Sequence, residues 1–111
     1  METLVNIEGK NAVVELIGRL DTPSASAVET EMRKVTAPEV KDVLIDCTKL
    51  TYISSSGLRI LISLHKHFLH VSGQLTIKGL APQIKEVFDM TGFSNIFTFA
   101  EQNRTKPPPT T

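Results

Sequence analysis

The chain has 111 residues, 41% of them apolar and 22% charged, and its twelve basic side chains balance twelve acidic ones. That length suits one domain whose core needs no disulfide or metal. The balance excludes the electrostatic footprint of a nonspecific nucleic-acid or anionic-membrane binder, so no direct nucleic-acid partner and no membrane are expected. Cys47 is the sole cysteine and sits in the apolar run Val43-Leu44-Ile45-Asp46-Cys47. It reads as a buried, inert thiol in a reducing, cytoplasmic setting. The first six residues lack the basic and apolar regions of a secretory signal. The strongest apolar stretch, Leu58 to Leu64, contains Arg59 and Ser63 and is too short to span a bilayer. With 5% aromatic residues and no obvious large apolar patch, a monomer is expected.

Residues Leu4 to Glu8 and Ala12 to Ile17 read as two strands around Gly9-Lys10-Asn11, whose glycine and asparagine tolerate the positive φ of a hairpin turn. Val14 and Leu16 then share one face, and Val13, Glu15 and Ile17 the other. At Arg19-Leu20-Asp21-Thr22-Pro23, Asp21 or Thr22 can cap a helix and Pro23 fits its first turn. Ala25, Val28, Met32 and Val35 recur at helical spacing, and Pro38 ends the helix. Asp42 to Asp46 reads as a central strand covered on both faces.

Leu50 to Gly57 leads into a second helix from about Ser56 to His70. Its apolar stripe of Leu58, Leu61, Ile62, His65, Phe68 and Leu69 is widened by Ile60 and Leu64. Ser72-Gly73 stops it. Gln74 to Lys78 alternates as a strand with one wet face. Pro82 to Met90 gives a short third helix with Ile84, Val87 and Phe88 inward, closed by Thr91-Gly92. Asn95 to Phe99 reads as a last strand. The order β-β-α-β-α-β-α-β predicts an α/β domain over residues 1–100 with a mainly parallel or mixed sheet. Residues 101–111, with Lys106-Pro107-Pro108-Pro109, read as a flexible Pro-rich tail.

Three features are candidates for chemistry. Ser54-Ser55-Ser56-Gly57 stands at the start of the second helix, where serines serve as caps. A hydroxyl there is also a candidate for phosphorylation, because free N–H groups and the positive dipole end accommodate a phosphate. A nucleophilic serine is disfavoured. Ile53 replaces the first glycine of a G-x-S-x-G elbow. The histidines, His65, His67 and His70, all follow on the same helix, with His65 about 15 Å along it. His67 and His70 are three apart, but no cysteine or carboxylate lies on that face nearby to complete a ligand set. They read as a solvated face, with His65 at the core edge and no metal or other cofactor expected. The third feature, Gly18-Arg19-Leu20-Asp21, reads on its own as a strand-to-helix turn.

Taken together, Val43-Leu44-Ile45-Asp46 through Tyr52-Ile53-Ser54-Ser55-Ser56-Gly57-Leu58 resembles the signature of STAS domains, the module shared by anti-sigma factor antagonists and sulfate transporters. Gly18-Arg19-Leu20-Asp21 looks like the family's Gly-x-Leu-Asp turn, and Val87-Phe88-Asp89-Met90-Thr91-Gly92-Phe93 like its Leu-Phe-x-x-x-Gly-Leu helix end. The resemblance covers roughly residues 3 to 100. It implies a four- or five-stranded sheet with three helices mainly on one side, and a non-enzymatic protein. It also implies binding to an anti-sigma factor that is a serine kinase, release of a sigma factor, and inactivation by phosphate. Aligned on Gly57, the phosphoacceptor falls on Ser55, with Ser54 and Ser56 as alternatives. Ser54 stands where the family usually has aspartate. Asp21, Ser54, Ser55, Ser56, Gly57 and Arg59 are the expected partner-binding residues. A STAS subunit of another assembly, without phosphoregulation, is the competing expectation.

Overall fold

The computed structural model describes residues 1–100; the flexible tail expected at 101–111 lies outside the described residues. The chain opens with β1 (Glu2–Glu8) and β2 (Asn11–Leu20), an antiparallel pair in which Glu8 faces Asn11 across the turn at Gly9 and Lys10. Gly9 has φ +62°, as that turn requires. Helix α1 (Thr22–Met32) and a single 3-10 turn (Arg33–Thr36) lead to β3 (Asp42–Asp46) and β4 (Leu50–Ile53). Next come α2 (Ser55–His70), β5 (Gln74–Lys78), α3 (Pro82–Met90), a second 3-10 turn (Phe93–Asn95) and β6 (Thr98–Ala100).

The main sheet runs β1-β2-β3-β5-β6, with every pairing after the first hairpin parallel. β2 serves two partners in succession. Its first half pairs with β3 as far as Glu15, and its last residues pair with β4 from Gly18. Between Gly18 and Arg19 the register shifts, with Gly18 at φ +100°. A bulge of this kind bends the strand and redirects the side chains beyond it. It carries Leu20 and Asp21 towards the start of α2.

One face of the sheet is closed. Ala12, Val14 and Leu16 of β2, Val43 and Ile45 of β3, and Leu75 and Ile77 of β5 are all buried there. Val28 and Met32 of α1, Leu58, Leu61, Leu64 and Phe68 of α2, and Ile84 and Phe88 of α3 join the same core. Each of these Val, Leu, Ile, Met and Phe side chains contributes roughly 1.5–3 kcal/mol when fully buried. On the other face Val13 is exposed and Leu44 and Thr76 are half-buried, so the one-sided arrangement implied by the resemblance holds, whereas β3 is not covered on both faces as its continuous apolar run predicts.

Among the described residues the sheet has six strands, against the four or five expected. The extra one is β4, whose ends Leu50 and Ile53 are buried while Thr51 and Tyr52 between them are exposed. That burial pattern has no period of two, so no strand was legible there. The last strand is also displaced. Ile96 stays exposed while Phe97 turns inward, with its ring centroid 5.6 Å from that of Phe88 and 5.3 Å from that of His65. Leu69, assigned to the buried stripe of α2, is 63% exposed.

Candidate partner-binding and modification site

Two helices begin side by side at the ends of β2 and β4. The Ser54 N–H donates to the Leu20 carbonyl at 2.8 Å, which fixes the two starting points against each other. Asp21 caps α1: its carboxylate accepts from the Ser24 N–H at 3.1 Å and from the Ser24 hydroxyl at 2.8 Å. The Asp21 N–H returns a bond to the Ser24 hydroxyl at 3.0 Å, completing a reciprocal capping box. Hydrogen bonds from the Ser24 side chain, and then from its backbone, hold the Asp21 carboxyl below the ordinary carboxylate range. The Arg19 guanidinium lies 3.8 Å from that carboxylate and 4.3 Å from the centroid of the Tyr52 ring.

At the neighbouring start the three serines separate. Ser54 is buried, and its hydroxyl accepts from the Gly57 N–H at 3.1 Å as the cap of α2. Ser55, the first helical residue, is exposed. Ser56 is half-buried and, with Glu29 and Arg59, lines a groove of about 180 Å³ between α1 and α2. No acidic residue occupies the first turn of α2, so the positive end of this helix meets no carboxylate of its own.

Gly57 plays a different part from the surface residues around it. It is buried, and a Cβ built there would stand 2.6 Å from Leu20 Cγ and 3.0 Å from Ile53 Cγ1. Its bare backbone lets the helix settle onto the ends of β2 and β4. Arg59, one turn beyond Ser55, is exposed and enters no ion pair among the described residues.

Asp21, Ser55, Ser56 and Arg59 therefore reach the surface at one end of the molecule, whereas Ser54 and Gly57 hold that surface in place from beneath. Arg19 and Tyr52 extend it, and sequence reasoning did not find them as a pair. Their register, Arg19 opposite Tyr52, was hidden because β4 itself was not legible.

The histidines depart from a uniformly solvated face. His65 is half-buried against Phe97, and His70 is exposed. His67 is also half-buried, and its Nε2 is enclosed without a hydrogen-bond partner among the described residues. No group of three histidine, cysteine, aspartate or glutamate side chains suited to a metal ion forms among the described residues. Burial pushes the Cys47 thiol up to about 12, as expected of an inert side chain.

The family model of the STAS domain matches residues 3–105. The chain belongs to the STAS-domain family. It is 33% identical over 98 residues to BtrV of Bordetella bronchiseptica, which bears the name of an anti-sigma factor antagonist; the match covers 88% of this chain and 84% of BtrV. The solved structure of the unphosphorylated anti-sigma factor antagonist SpoIIAA superposes with a TM-score of 0.73 at 14% identity, covering 92% and 90% of the two chains. An anti-sigma factor antagonist from Thermotoga maritima, so described in its structure, superposes with a TM-score of 0.82 at 11% identity, over 90% and 86%. These structures share the fold of this STAS domain, and the family match together with BtrV carries the membership. No helix among the described residues is long and apolar enough to cross a membrane.

Proposed function

We propose that this STAS domain is an anti-sigma factor antagonist. It binds an anti-sigma factor with serine-kinase activity, thereby freeing a sigma factor, and phosphate on Ser55 ends that complex. The observation that carries the reading is the separation of the three serines: Ser54 is spent as a buried cap and Ser56 is half-buried, while Ser55 is exposed, one turn before Arg59 on α2. The name of BtrV supports the same reading. In this role the domain performs no catalysis and acts as a cytoplasmic monomer.

A phosphate on Ser55 would add about −1.5 to −2 charges at the centre of a small interface. The free N–H groups at the start of α2 tolerate it, so the fold survives while the partner surface does not. The substitution of Ser54 for the family's aspartate fits the same scheme, because a serine satisfies the cap as an aspartate does. It removes one negative charge beside the acceptor. That loss is the observation favouring a second reading, a STAS-type interaction subunit of a transporter, lipid-trafficking or stress-signalling assembly that is never phosphorylated.

Affinity capture separates the two. The Ser55→Ala protein, immobilised and exposed to an extract of the source organism, should retain a small ATP-binding serine kinase identified by mass spectrometry. Reproducible recovery of a partner without a kinase fold would overturn the antagonist reading in favour of the second.

A further inference from the structure

We infer that a phosphate on Ser55 is held by Arg59 of the same helix. The inference rests on the reading of Ser55 as the phosphoacceptor, and it assigns to Arg59 the part of an internal clamp. Both residues are exposed on α2, four positions apart. That spacing puts their Cβ atoms about 5–6 Å apart on one face, and an anion N-terminal to a cation is the favourable order. Helical Cα–Cβ bonds also lean back towards the N-terminus, so position 59 is one from which an arginine can reach a phosphate on Ser55.

Among the described residues, two arginines lie near this end of the molecule, and their circumstances differ. Arg19 is already engaged, with Asp21 at 3.8 Å and the Tyr52 ring at 4.3 Å. Arg59 enters no ion pair among the described residues. The other charged side chain sharing its groove is Glu29 of α1, a like charge to the phosphate that leaves Arg59 as the counter-ion on that side. A guanidinium matches phosphate oxygens through two parallel N–H donors, a geometry that lysine cannot reproduce. Phosphorylation would thus change the surface twice, by adding a dianion and by withdrawing Arg59 from contact with a partner.

The test needs no kinase. Phosphoserine is placed at position 55 by genetic incorporation, and its ³¹P resonance is followed against pH at low ionic strength. The surroundings that bear on this titration are Arg59 on α2, Asp21 at the start of α1, Arg19 at the end of β2, and Glu29 across the groove. The second phosphate ionisation, near pH 6 in a free phosphoserine, should rise by about half a unit in Arg59→Gln relative to the parent phosphoprotein. Arg59→Lys should recover part of that shift, and Arg19→Gln should shift the titration clearly less, because Arg19 is already engaged by Asp21. An unchanged titration in Arg59→Gln, or an equal shift in Arg19→Gln, would overturn the clamp. Because the phosphate is installed directly, failure to capture a kinase leaves this result interpretable on its own.

Discussion

Helices α1 and α2 start within one hydrogen bond of each other, yet their N-termini are finished in opposite ways. Asp21 closes α1 with a carboxylate, and its reciprocal bonds with Ser24 leave that end satisfied and already negative. Ser54 closes α2 with a single neutral hydroxyl bonded to the Gly57 N–H, and the first turn beyond it has no acid. The lesson is electrostatic. A new negative charge gains little at the end that already holds a carboxylate, and is stabilised at the end that holds none. The open end is where Ser55 stands.

Substitutions at each start sharpen this contrast. The largest effect is expected on association: Ser55→Asp should weaken binding to the captured partner by on the order of a hundredfold, a loss of roughly 3 kcal/mol. Ser55→Ala should bind nearly as well as the parent, and isothermal titration of both variants measures the difference. Equal affinities would remove Ser55 from the interface.

Next in size is Gly57→Ala, which drives a methyl group into Leu20 and Ile53, both buried. Overpacking of this kind costs about 1–3 kcal/mol, read as a lower midpoint in urea unfolding. Ser54→Ala removes the cap of α2 and should cost about 1 kcal/mol, whereas Ser55→Ala should stay within about 0.5 kcal/mol as an exposed change. Equal costs at the two serines would contradict the division between a supporting residue and a surface residue.

The smallest effect concerns Asp21→Asn, which keeps a good cap and deletes only the charge. The folded pKa of Asp21 is depressed by its bonds to Ser24. Its contribution is therefore fully present above the unfolded value and is lost as the pH falls through the folded one. Unfolding curves for the parent and Asp21→Asn should differ at pH 7 and converge in strong acid. A gap that persists undiminished in acid would locate the effect elsewhere.

Much of this arrangement is legible in the sequence alone. The period of Val28 and Met32, the alternation of Val14 and Leu16, and Pro23 after Asp21 were enough to order the helices and most strands. What stayed hidden were consequences of tertiary packing. β4 is not legible because its two exposed residues sit between two buried ones, which breaks the period of two by which a half-buried strand is read. Phe97 left the expected strand ladder because its ring packs against Phe88 and His65. Within Ser54-Ser55-Ser56, three identical side chains carry no internal sign of which one is buried. Only the docking of α2 on Leu20 and Ile53 distinguishes them.

The most direct test of the account is to locate the phosphate itself. The purified protein is incubated with its captured kinase partner and magnesium ATP, and the peptide spanning residues 54–56 is sequenced by fragmentation mass spectrometry. The account predicts phosphate on Ser55 alone, with Ser55→Ala unmodified. Phosphate on Ser54 or Ser56, or none after complete incubation with an active kinase, would contradict it.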